Sequence, residues 1–71
     1  MSQECFEFVV YMIHACAQKW NMTPMQVYQI IEKKECVSKY LVPLYEILHT
    51  QSTEFVVNDI QEYMANRGVV L

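Results

Sequence analysis

One glycine in 71 residues is the scarcest feature of this chain. Average usage would supply roughly five, so glycine-rich phosphate loops and most tight hairpin turns are excluded. Positive charge is also short: five Lys or Arg stand against eight Asp or Glu, for a net charge of −3. Without a concentrated positive field, non-specific phosphate binding is not favoured. No apolar run approaches the ~20 residues of a membrane span. The start, Met1-Ser2-Gln3-Glu4, lacks the basic region that opens a secretory signal. Three cysteines are an odd count with no paired spacing, which fits a reducing cytoplasm better than a disulfide scaffold.

The chain does have apolar residues, at 54% of the total, and they recur with helical rather than strand periodicity. The length allows one small domain, which buries only about 60% of its unfolded surface. The pattern predicts an all-α fold, a small bundle of about four helices plus a short helical turn. The helices are expected near 3–21, 23–35, 43–50 and 53–67, with the turn near 37–41. In the first helix, Phe6, Val9, Val10, Ile13, Cys16, Ala17 and Trp20 share one stripe, read as the core face. Phe8, Met12 and Ala15 form a second apolar line at i, i+4 and i+7, flanked by Tyr11. A helix with two apolar faces either lies centrally in its domain or offers one face to a partner. That places Phe8, Tyr11, Met12 and Ala15 as candidate interaction residues, for another protein or for a second copy in a homodimer.

The second helix has a clear start. Thr23 is expected as N-cap, Pro24 occupies the first helical position, and Gln26 completes a capping box. Met22 is placed to staple onto Val27, while Val27, Ile30 and Ile31 face inward. Pro43 then interrupts the helical spacing of Val37, Tyr40, Leu41, Leu44, Ile47 and Leu48, because proline inside a helix costs ~3 kcal/mol or more. A new helix is expected to begin at Pro43. The last helix begins at Ser52 or Thr53, buries Val56, Ile60, Tyr63 and Met64, and stops at Gly68 in a left-handed conformation with Val69 folding back on Met64. Val70 and Leu71 have no assigned partner.

Few residues suggest chemistry. Cys5 and Cys16 lie about 16 Å apart along one helix and cannot share a zinc ion, whose thiolates sit ~2.3 Å from the metal; Cys36 has no partner at ligand spacing. All three read as small buried hydrophobes. His49, Thr50, Gln51 and Ser52 join two helices, and the expected role is an interhelical capping knot: His49 on the carbonyls before it, Thr50 or Ser52 at the start of the next helix. A catalytic His49 would need a nucleophile or carboxylate within hydrogen-bond reach, and the sequence identifies none. His14 belongs to the polar side of the first helix, near Glu7 and Gln18. The aromatics interleave with core positions rather than with Lys or Arg, against base stacking.

Several of these segments resemble a known family. Phe8-Val9-Val10-Tyr11, Tyr40-Leu41, Tyr45-Glu46-Ile47-Leu48-His49-Thr50-Gln51-Ser52 and Asp59-Ile60 with Tyr63 look like the short bacterial proteins catalogued as domain of unknown function 3791. The resemblance covers nearly the whole chain and is sharpest at Leu48-His49-Thr50-Gln51. It implies a small all-helical protein whose gene lies beside that of a larger uncharacterised one, which would suit an antitoxin-like partner. Pro43 departs from the unbroken polar–apolar run of relatives.

The expected function is therefore a non-enzymatic, cytoplasmic protein–protein interaction module with no cofactor, no metal and no small-molecule substrate. The alternative is a small DNA-binding regulator that reads with the Thr23-capped helix, Lys33, Lys34 and Lys39 being its basic cluster. Net acidity counts against it.

Overall fold

The three longer helices each begin where a short polar side chain satisfies one of the first free N–H groups. In the computed structural model, which describes residues 1–71, the Ser2 hydroxyl accepts from the Cys5 N–H at 3.1 Å and opens α1, Gln3–Trp20. Thr23 opens α2, Pro24–Lys33, with both halves of the expected capping box in place: the Gln26 N–H reaches the Thr23 hydroxyl at 3.2 Å and the Thr23 N–H reaches Gln26 Oε1 at 2.9 Å. Ser52, of the two candidates, opens α4, Thr53–Ala65, accepting from the Phe55 N–H at 3.1 Å.

The stops are equally local. Asn21 ends α1 in the left-handed region at φ 57°, and the Met22 N–H closes on the Ala17 carbonyl at 2.9 Å. Gly68, at φ 85°, ends the last helix as expected: its N–H reaches the Ala65 carbonyl at 3.0 Å, and the Val69 N–H turns back to the Met64 carbonyl at 2.9 Å. Val69 and Leu71 then pack against the core while Val70 points into solvent.

Residues 37–41 do form a helical turn, but of π type, Val37–Leu41. Pro43 has no N–H for the carbonyl four residues back, and its ring would press on that carbonyl in an α-helix. The chain widens ahead of it, and the Val42 N–H bonds the Val37 carbonyl at 2.9 Å. The following helix, α3, is a single turn, Tyr45–Leu48, and starts after Pro43 rather than at it.

α2 and α4 both pack on α1, and this corrects the expected core face of the first helix. The buried seam is Cys5, Val9, Met12 and Cys16, with Ala17 beside it. Phe6 is 54% exposed and Val10 36%. Met12, expected on an interaction surface, is 1% exposed and belongs to the core of the single chain. A helix covered from two sides buries the line between its two flanks, so the seam takes Val9, Cys16 and Ala17 from one apolar stripe and Met12 from the other. Phe6 and Val10, one turn apart, stay outside this seam although they belong to the expected core stripe. Elsewhere Val27 and Ile31 of α2 and Val56, Ile60, Tyr63 and Met64 of α4 are buried as expected, together with Leu41 and Leu48; Val57 joins them from outside the expected row, and Ile30, expected to face inward, is half-buried.

Cys16 and Cys36 are fully buried in the same cluster, and all three cysteines are free thiols. Burial pushes both Cys16 and Cys36 up to about 12, from an ordinary value of 9.0. For Cys16 the neighbouring Cys36 adds to the rise; for Cys36, Arg67 opposes it and Glu32 adds to it.

Three outcomes follow from this packing. Met12→Ala should lose ~2–5 kcal/mol, the usual range for a truncated core side chain. A domain of this size has ~3–5 kcal/mol in total, so the variant should melt near or below room temperature by circular dichroism. At the α3–α4 junction, Ser52→Ala should cost ~0.5–2 kcal/mol in urea denaturation. For the thiols, the folded-state value lies above the unfolded one, so their contribution is complete below pH 9 and is lost as pH rises toward 12. Denaturation midpoints should fall across that window, and Cys36→Ala should flatten the fall.

Candidate functional site

The two candidate regions, one on α1 and one at the α3–α4 junction, form a single surface. Phe8 is half-buried, and its ring meets Tyr45 edge-on with centroids 5.4 Å apart. Tyr45 in turn stacks on His49, with centroids 4.6 Å apart and planes 17° from parallel. One turn further along α1, the Tyr11 hydroxyl lies 2.7 Å from Thr53 Oγ1, at the first residue of α4. Beyond it an open cleft of about 560 Å³ runs between the two helices. Tyr11, His14, Ala15, Gln18 and Lys19 line it from α1, and Thr53, Glu54 and Val57 from α4. Of the four α1 candidates, Phe8, Tyr11 and Ala15 are on this surface and Met12 lies beneath it.

Within the junction each polar residue has a definite contact. His49 Nδ1 lies 2.8 Å from the Tyr45 carbonyl, so the ring donates from Nδ1. The Thr50 hydroxyl donates to the Ile47 carbonyl at 2.7 Å. Ser52 caps α4, and Gln51 is exposed, its N–H closing on the Leu48 carbonyl at 3.0 Å. The single turn of α3 thus has its C-terminal carbonyls satisfied by the side chains that follow it. His14 repeats the arrangement on α1, with Nδ1 2.9 Å from the Val10 carbonyl. Both imidazoles are anchored to their own helices, and neither shares a hydrogen bond with a nucleophile or a carboxylate.

Tyr45 is not among the site residues expected from the sequence, although its spacing four before His49 puts both on one helical face. Thr53 reads from the sequence only as a cap; its contact with Tyr11 spans 42 residues and no local pattern announces it. The Tyr45 hydroxyl is held above its ordinary value by desolvation first, then by the carboxylates of Glu4 and Glu46, with smaller contributions from Cys5 and Glu7. It therefore stays a neutral donor at this face.

The other residues of the family resemblance gather at the opposite end. The Tyr40 hydroxyl donates to Asp59 Oδ2. Tyr63, 5.4 Å from the Tyr40 ring, donates to the Lys34 carbonyl at 2.8 Å and ties the end of α2 to α4. Arg67 lies over the Tyr63 ring at 3.5 Å from its centroid and bonds the Tyr63 carbonyl at 3.0 Å. The basic residues that would serve a nucleic-acid reader are interspersed with acids: Lys39 pairs with Glu35 at 2.8 Å, which raises its pKa, and Lys33 shares a shallow hollow with Glu32. No three His, Cys, Asp or Glu side chains converge within reach of one metal ion, and no helix is long and apolar enough to cross a membrane.

No curated protein and no solved structure matches the chain. A family model does, described as protein of unknown function (DUF3791), and it spans residues 7–67, from the start of the Phe8–Tyr45 contact to the Arg67 that covers Tyr63. With that span the chain belongs to the DUF3791 family.

Proposed function

We propose that this protein is a non-enzymatic interaction module that docks another protein on the surface joining α1 to the α3–α4 junction. One observation carries the reading: an exposed strip of α1 and a junction more than 30 residues away in sequence are brought together by the Phe8–Tyr45 edge contact and the Tyr11–Thr53 hydrogen bond. Aromatic side chains with a polar tip, rigid and half-exposed, are the groups that most often carry protein–protein affinity. Tyr11, at 56% exposure, and Tyr45 are of that kind. The site of action is a bacterial cytoplasm, a reading supported by the three free thiols. The first partner to test is the product of the neighbouring gene, toward which this chain would act in an antitoxin-like way.

Tyr11→Asp removes the anchor from an exposed position and should leave the circular dichroism spectrum unchanged while lowering the melting midpoint by several degrees, for about 1 kcal/mol of lost hydrogen bond. In co-expression with the neighbouring gene product, it should weaken binding by ~2 kcal/mol or more, the threshold of an interface hot spot. Met25→Asp, 64% exposed on α2, should leave binding intact. Loss of binding in Met25→Asp with retention in Tyr11→Asp would move the interface to α2 and refute the assignment.

A further inference from the structure

The cleft beside Tyr11 and the Phe8–Tyr45 contact lie one turn apart along α1 and together make a candidate groove, around which carboxylates outnumber cations four to one. Glu54 lines the cleft at its α4 side. Glu4 precedes Phe8 by one helical turn, Glu7 is its neighbour, and Glu46 adjoins Tyr45; all three carboxylates act on the Tyr45 hydroxyl. The only cation on this side is Lys19, at the far end of the cleft. The remaining charges are distributed differently. Glu32, Glu35, Asp59 and Glu62 are matched by Lys33, Lys34, Lys39 and Arg67 around α2, the π turn and the end of α4. Four carboxylates against one cation on the groove, and four against four elsewhere, place the whole net charge of −3 on the groove side.

From this we infer that the groove takes a cationic amphipathic segment of another protein, apolar residues against Phe8, Tyr11 and Ala15 and Lys or Arg against Glu4, Glu7, Glu46 and Glu54. The inference rests on the docking reading above and names the chemistry of the partner. A second copy is the poorer occupant: a symmetric dimer would set four carboxylates against four, and the rest of the surface is balanced and offers no excess positive charge. A cationic segment meets the groove with opposite sign, which steers the encounter and strengthens as ionic strength falls. The apolar floor supplies the part of the affinity that salt does not screen.

The test uses the full-length protein, isotopically labelled, with short amphipathic helical peptides as probes: one of leucine and lysine, one with glutamine in place of every lysine, and one with glutamate. The leucine–lysine peptide should bind and shift the amide signals of Tyr11, Ala15, Thr53 and His49. Its affinity, read by fluorescence anisotropy, should fall by roughly tenfold in Glu7→Lys/Glu46→Lys, as expected for two exposed charge contacts reversed in sign. Raising the salt from about 50 to about 300 mM should also weaken it. Glu7→Gln/Glu46→Gln should give an intermediate loss with an unchanged fold. Glu32→Lys/Glu62→Lys should bind as the wild type does. Equal binding of the lysine and glutamine peptides at the groove would overturn the cationic assignment and leave the docking reading standing. Shifts confined to α2 or to the end of α4 would sink both. A concentration-dependent dimer in light scattering, dissociated by Tyr11→Asp, would identify a second copy as the occupant and refute the inference.

Discussion

Everything in this fold leans on the inner face of α1. The seam of Cys5, Val9, Met12 and Cys16 is the common wall against which α2 and α4 pack, and α1 is the only helix long enough to serve both. α2 and α4 are 10 and 13 residues long and α3 is four; isolated helices shorter than ~12–15 residues are marginal in water. Caps mark where α2 and α4 start and stop, but most of their helical stability comes from packing on the surface that α1 offers. A single side chain on that seam therefore carries more of the total than its size suggests.

Short connections make this packing possible in so few residues. The chain reverses between α1 and α2 through one left-handed residue, Asn21, and leaves α2 through another, Glu35 at φ 56°. Asparagine tolerates that region; glutamate does so at some cost, partly offset by the Lys39 pairing and by the Lys39 N–H that closes on the Glu35 carbonyl at 2.9 Å. Pro43 imposes a second compromise, converting the next turn to π geometry. The one-turn α3 that results is held by Leu48 in the core and by His49, Thr50 and Ser52 around its end.

That same junction gives the surface its character. The side chains that terminate α3 and start α4 are also the ones that flank α1, so stabilising the turn and shaping the groove are tasks of the same residues. His49 is at once a helix-end donor and the outer plate of a stack that runs through Tyr45 to Phe8. At the other end, Tyr40 donates to Asp59 and Tyr63 to the Lys34 carbonyl, joining elements of the chain to one another. The molecule thus has one end tied up internally, with balanced charge, and one side where aromatic rings and carboxylates face outward.

What the sequence determined alone is local: the all-α class, the capping box at Thr23, the stop at Gly68, the break at Pro43, the buried rows of α2 and α4, and the capping role of the His49–Ser52 segment. These depend on hydrogen bonds and steric limits within a few residues, and such rules are legible in order along the chain. Tertiary structure decided which face of α1 is buried. Two apolar stripes were visible there, and periodicity ranks stripes by composition without knowing that a partner helix lies on each side. The true seam falls between them, taking Val9, Cys16 and Ala17 from one stripe and Met12 from the other, and leaving Phe6 and Val10 exposed. The union of the α1 strip with the junction was equally beyond the sequence, because the contacts that make it, Phe8 with Tyr45 of α3 and Tyr11 with Thr53 of α4, exist only once both helices have folded back onto the first.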